Sequence, residues 1–183
     1  MIAERMEFFF KFVTQPNKIG SITPSSSYLT KKMMEDLPWQ SMDTVVELGA
    51  GTGVFTRYIA ERRHADCQVV IFEQSLEMRK ELEQEFPQFH YGEKAQTVEH
   101  TLKLLRLPKA DCIISGLPFS IFPEKLTKAI LDGVVKSLSD DGTFVAFQYS
   151  PYMARMLDSY FSHIEREFVV LNMPPAFVYK CRK

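Results

Sequence analysis

Excess positive charge is missing from this 183-residue chain, in which 22 lysines and arginines are balanced by 23 acids for a formal net charge of -1. No overall basic field is available to hold a nucleic acid, which makes that partner unlikely while saying nothing of local patches. Cysteine is scarce. Cys67, Cys112 and Cys181 lie far apart, and no metal-ligand spacing joins them to each other or to the four histidines. No metal is expected, and the three read as ordinary thiols of a reducing compartment. No apolar run approaches the length of a membrane span. The first residues carry acids at Glu4 and Glu7 and no small-residue cleavage site, so no signal peptide is expected. These absences predict a cytoplasmic protein, with at most a peripheral contact on the inner face of the membrane. Repeats, low-complexity tracts and Gly/Ser linkers are missing too, which predicts one domain over residues 1–183.

What is present is alternation. From Met42 onward, strand signals at 43–48, 67–73, 89–91, 110–116 and 142–150 are interleaved with helical periodicity at 53–64, 75–86, 95–106, 123–138 and 151–163. Two further strands, 166–172 and 177–183, flank a proline turn. This order predicts an α/β fold: a mostly parallel sheet with helices on both faces, closed by an antiparallel last strand. Residues 1–40 stand apart as a helical cap on a core of 41–183. Residues 2–13 project as a helix with an apolar arc roughly 200° wide. Ile2, Met6, Phe9 and Val13 make a packing face, with Phe8 and Phe12 beyond it, flanking Arg5. Two readings stand: a helix packed on two neighbours, or an interfacial helix pressing aromatics among lipid headgroups.

VVELGAGTGVFT (45–56) carries the chemistry. A strand ends in Glu47, and a turn with Gly49, Gly51 and Gly53 opens a helix. Glycines there permit a tight turn and close backbone approach to a ligand. A dinucleotide site usually reads GxGxxG and faces a pyrophosphate. Here the acid before the first glycine would repel phosphate and suits an ammonium group instead. A second acid, Glu73, closes the next strand, about where an acid grips ribose hydroxyls.

Strand, Glu, GxGxG, helix, strand, Glu resembles the class I S-adenosylmethionine-dependent methyltransferases, with their Rossmann-like seven-stranded sheet. The resemblance implies S-adenosyl-L-methionine as cofactor. Glu47 would face its methionine end, the backbone at Gly49, Ala50, Gly51 and Gly53 would lie against it, and Glu73 would bind the ribose with Gln74 beside it. Ser25 and Ser115 are implied as further contacts. Glu93 in YGEK is the counterpart of the acid that meets the adenine amine, or else a solvated loop acid, since Lys94 departs from the usual acid-then-small pattern.

SGLPFSIFP (115–123) puts five apolar residues in a loop after the fourth strand, where the methyl acceptor must approach. It resembles the [N/D/S]-x-P-[Y/F] element of amino-methyltransferases. Gly116 stands where an amide would read a nucleobase amine, which argues against adenine or cytosine and leaves room for a flexible alkylamine. FVTQPNKIGSITPSS (12–26), FQYSPY (147–152) and NMPPAFVY (172–179) extend the likeness over nearly the whole chain, to the bacterial phospholipid N-methyltransferases, relatives of the rRNA adenine dimethyltransferases. The implied reaction is methylation of phosphatidylethanolamine's amine, with the N-terminal helix on the membrane. Candidate groups are the Ser115 hydroxyl, the Gly116 and Leu117 carbonyls, Pro118, Tyr149, and Phe119 as a ring face for a cationic headgroup, with Tyr28 a weaker candidate. Plain packing is the alternative for each aromatic, and no histidine is assigned a role. The competing readings are an rRNA adenine methyltransferase, disfavoured by the missing amide and by a chain that ends at Lys183 without that family's further helical domain, and a cofactor-binding module without turnover.

Overall fold

The computed structural model describes residues 24–183 apart from Met173, and the side chains of Pro24, Ser25 and Ser26 are also outside the description. The expected helix over 2–13 and the contact expected of Ser25 therefore lie outside the described residues.

Seven strands form one sheet: β1 (Thr44–Leu48), β2 (Gln68–Phe72), β3 (His90–Gly92), β4 (Ala110–Ser115), β5 (Leu138–Gln148), β6 (His163–Val169) and β7 (Ala176–Arg182). Their order is β3-β2-β1-β4-β5-β7-β6. The first five pair in parallel, and β7 is antiparallel to both β5 and β6. TVVEL in β1 is buried along its whole length, as a central parallel strand covered on both faces must be. Among the described residues, six α-helices flank the sheet: α1 (Pro24–Met34), α2 (Val54–Arg62), α3 (Leu76–Glu85), α4 (Val98–Leu104), α5 (Glu124–Ser137) and α6 (Ala154–Leu157).

Strand periodicity divides the core in two. Val45, Ile71, Cys112 and Val145 face Leu29 and Met33 of α1, Ile59 of α2 and Leu82 of α3. Val46, Val70, Ile113 and Phe144 face Val98 of α4 and Ile130 and Val134 of α5. All three cysteines are buried and free. Strand order reverses between β1 and β4, so the carboxyl ends of these two strands open a crevice where ligands of such sheets bind.

Several boundaries differ from the sequence pattern, and β5 begins at Leu138 rather than 142. The helix expected over 151–163 is a short 3-10 turn at Pro151–Met153 followed by α6, which ends at Leu157. Tyr160 and Phe161 both donate back to the Leu157 carbonyl, and Ser162 then donates to Arg182 of β7. Sheet pairing thus captures the chain early, and β6 begins at His163 rather than 166. Its polar residues conceal it because β6 is an edge strand with most side chains exposed.

Candidate active site

The glycine-rich turn is a backbone cradle between β1 and α2. Gly49, Gly51 and Gly53 have φ of 79°, 54° and 81°, in the left-handed region that side chains disfavour. The N–H groups of Gly49 and Ala50 both donate to the Phe72 carbonyl, at 2.8 and 3.2 Å, which ties the turn to the end of β2. A Cβ on Gly53 would stand 2.5 Å from Leu82 Cδ2, so that glycine lets α2 pack on α3. At Gly51 a Cβ would meet nothing within 4 Å, so the turn leaves open space in front of it.

Both strand-end acids are buried. Glu73 Oε2 accepts from the Gly51 N–H at 2.7 Å, and Oε1 accepts from the Ser75 N–H at 2.8 Å. Glu47 Oε2 accepts from the Thr56 hydroxyl at 2.7 Å, while Oε1 is buried with no hydrogen-bond partner. Burial pushes the Glu47 carboxyl up to about 8, against the opposing Thr56 hydrogen bond and with some help from the negative charge of Glu73. An orphaned buried carboxylate oxygen is costly and calls for a donor or a cation. The residues present are of the kinds that S-adenosylmethionine would need: a buried acid with an unpartnered oxygen, a second acid lining the crevice, and open space in front of Gly51.

Across the crevice, β4 ends in the loop of the SGLPF sequence. The Gly116 N–H donates to the Leu48 carbonyl at 2.9 Å, and the Leu117 N–H to Ser115 Oγ at 3.2 Å. Ser115 is thus a buried staple of the turn. The room expected beside Gly116 is not there. A Cβ on it would stand 2.8 Å from the Gly49 carbonyl oxygen, and one on Gly49 would stand 2.7 Å from Leu117 Cδ2. Glycine is needed because the two turns touch.

Gln148, at the end of β5, clamps this loop from behind. It is buried; its Nε2 donates to the Leu117 carbonyl at 2.8 Å and its Oε1 accepts from the Ser120 N–H at 3.4 Å. The Leu117 carbonyl is therefore already engaged, while that of Gly116 carries no such clamp. Tyr149 is partly buried beside Phe147, the ring centroids 5.4 Å apart, and hydrogen-bonds the Asn172 side chain. Burial raises its phenol above the ordinary tyrosine range, with the Asn172 bond opposing.

Gly49, Gly51, Glu73, Gln74, Glu93, Gly116, Leu117 and Pro118 come together around one crevice. Of the other expected residues, Glu47, Ala50, Gly53, Ser115 and Tyr149 are not among its lining, and neither is Phe119. It is wholly buried with its ring edge-on to Phe122, so packing describes it, and Phe122 is the ring that lines the crevice. Tyr28, on α1, is partly buried and packs against the core. Sequence reasoning also missed the far wall, where Leu126 and Ile130 of α5 meet Ala95 and Gln96. Only the apolar stripe of α5 hinted at that wall. Among the described residues no cluster of acids, histidines and cysteines could hold a metal ion.

Residues 45–142 match a family described as a methyltransferase domain. An ornithine lipid N-methyltransferase of Singulisphaera acidiphila is 32% identical over 180 residues, covering 96% of this chain and 94% of its own. The fold is shared with the N-methyltransferase NodS of Bradyrhizobium japonicum, solved with S-adenosyl-L-homocysteine, at a TM-score of 0.72, 12% identity and coverage of 92% and 91%. A TehB-like methyltransferase of Corynebacterium glutamicum superposes with a TM-score of 0.65, at 14% identity and 99% coverage of both chains. With the family match spanning the cradle and the relative spanning nearly the whole chain, the protein belongs to the class I S-adenosylmethionine-dependent methyltransferases.

Proposed function

We propose that the protein methylates the amine of an amino lipid, an ornithine-type lipid or phosphatidylethanolamine. The observation that carries this reading is the wall opposite the glycine cradle. Leu117, Pro118, Phe122, Leu126 and Ile130 make it largely apolar, with Gln96 its one amide, and the acceptor loop SGLPF itself carries no side-chain amide to read a base. Gln148, at this end of β5, is spent on backbone groups of the loop and of Phe147. That argues against the rRNA reading. The near-full-length likeness to an enzyme named for ornithine lipid supports the amino-lipid class. Phosphatidylethanolamine rests on the motif resemblance.

S-adenosylmethionine, when bound, supplies a methyl group open to in-line displacement by an amine lone pair. The chain's own task is to present that lone pair. An alkylammonium entering an apolar wall is desolvated, which favours its neutral form; its proton leaves to solvent at the open mouth of the crevice. The Gly116 carbonyl accepts a hydrogen from the amine and orients it. Gln148 keeps that carbonyl in place by fixing the next residue, so most of the acceleration comes from positioning. Tyr149 is retained in neutral form by burial and serves as a second acceptor.

The test is incubation of the protein with methyl-labelled cofactor and, in parallel, detergent micelles of ornithine lipid, micelles of phosphatidylethanolamine, and ribosomal RNA. Label is expected in at least one lipid and not in RNA. Label in RNA alone, or in none of the three, overturns the reading.

A further inference from the structure

The charges of this chain are unevenly placed. Beyond residue 110, three long stretches carry no charged residue: 112–123, 142–154 and 168–179. They include the ends of β4 and β5, the end of β6 and the start of β7, all at the carboxyl edge of the sheet, where the crevice opens. The opposite edge is dense in charge, with Arg62, Arg63 and Asp66 before β2, Lys109 and Asp111 at the start of β4, Asp140 and Asp141 early in β5, and Arg182 and Lys183 at the end of β7.

The uncharged part of this edge, at the ends of β5 and β6 and the start of β7, also exposes large apolar side chains, while Glu73, Glu93 and Lys94 lie toward β2 and β3. Tyr152 is 61% exposed, Phe168 52%, Val170 64% and Leu171 71%. Structure connects them. The Phe168 and Phe177 rings lie 4.7 Å apart, and Phe177 pairs with Gln148 of β5. Asn172 bonds Tyr149, and the turn holding Tyr152 touches the 119–121 turn of the acceptor loop. Of the other exposed large apolar residues described, Leu76 follows β2 at the same edge, and Leu104 ends α4 at the other. A clustered, uncharged apolar rim of this kind marks an interaction surface.

We propose that this rim, with Tyr152, Phe168, Val170 and Leu171 at its centre, seats in the interfacial layer of a lipid bilayer and brings the crevice down onto the headgroups. The inference rests on the amino-lipid reading. A headgroup amine whose acyl chains stay in the bilayer reaches the acceptor loop only if this edge faces the membrane. The lack of charge suits insertion among lipids of any headgroup and makes attraction to anionic lipid unnecessary. Tyr152, aromatic with a polar tip, is of the type enriched at that depth.

The test is flotation of the full chain with phosphatidylcholine vesicles, with and without phosphatidylglycerol, in low and high salt. The protein is compared with the double variant Val170→Asp, Leu171→Asp, whose side chains are exposed and outside the crevice. Calorimetric binding of S-adenosylhomocysteine confirms that the variant is folded. The wild type should float on both vesicles and keep most of its binding in high salt, because apolar insertion is not screened. The variant should lose roughly tenfold or more of vesicle affinity with cofactor binding unchanged. Equal flotation of the two proteins places membrane contact elsewhere, as on residues 1–23, and overturns the proposal. So does failure of the wild type to float, or a dimer that the variant splits, which would make the rim a contact between copies. Methyl transfer to detergent-dispersed amino lipid is read separately. If transfer persists while flotation fails, the docking surface alone is wrong; if flotation holds and no amine is labelled, the acceptor assignment alone is wrong.

Discussion

The backbone N–H of Gly51 donates to Glu73 Oε2 at 2.7 Å, joining the turn after β1 to the acid that ends β2. The same carboxylate holds the Ser75 N–H at the start of α3. Glu73 therefore shapes the cradle as well as lining the crevice beside it. Glu73→Ala should weaken S-adenosylhomocysteine binding by roughly tenfold or more, the scale for loss of hydrogen bonds to a charged group. Isothermal calorimetry measures this, and unchanged affinity would remove Glu73 from the site.

Glu47 gives the protein a dependence on pH. Its folded carboxyl titrates at about 8 against an ordinary 4.5, raised mainly by burial. A folded-state value above the unfolded one means that the native protein holds the proton more tightly. Without cofactor, stability is whole below 4.5 and falls as pH rises toward about 8, by roughly 1.4 kcal/mol per unit at most from this group. Glu47→Gln removes that cost. The variant should melt higher than the wild type near pH 8, and the gap should close as pH is lowered toward 4.5. An equal gap at every pH would show that Glu47 does not titrate in this range.

Gln148 acts on the acceptor side alone. Gln148→Leu leaves the Leu117 carbonyl and the Ser120 N–H without their clamp. Methyl transfer at saturating cofactor should fall about tenfold, the scale of one lost hydrogen bond at a positioned group, with S-adenosylhomocysteine affinity preserved. Equal loss in both measurements would mean that Gln148 supports the fold and not the loop.

Gly116 marks the contact between the two halves of the crevice. Gly116→Ala sets a Cβ 2.8 Å from the Gly49 carbonyl oxygen. The obstacle is a backbone carbonyl, which cannot yield cheaply, so cofactor affinity and transfer should fall together, and an asparagine there should do worse. An alanine variant with wild-type binding and rate would show that the turns separate freely.

Much of this was legible because local pattern carried it. Alternating strand and helix signals fixed the sheet class, and the spacing of Glu47, the three glycines and Glu73 located the cradle. What escaped depended on contacts distant in sequence. FQYSPY marked the stretch around Gln148 but not its role as a clamp, since its partner Leu117 lies in another loop. The lack of room at Gly116 comes from Gly49, on a different strand end. Phe119 and Phe122 are alike in sequence, and only the turn of the loop decides which ring is buried and which lines the crevice. The edge strand β6 was read three residues late because its alternation is masked by exposed charges.

Product analysis tests the central claim most directly. The purified protein is supplied with cofactor carrying a deuterated methyl group and with amino lipid in micelles, and the lipids are fragmented by mass spectrometry. A headgroup fragment heavier by one deuterated methyl on nitrogen is the predicted result. Unlabelled headgroups under conditions where calorimetry shows the cofactor bound would contradict it.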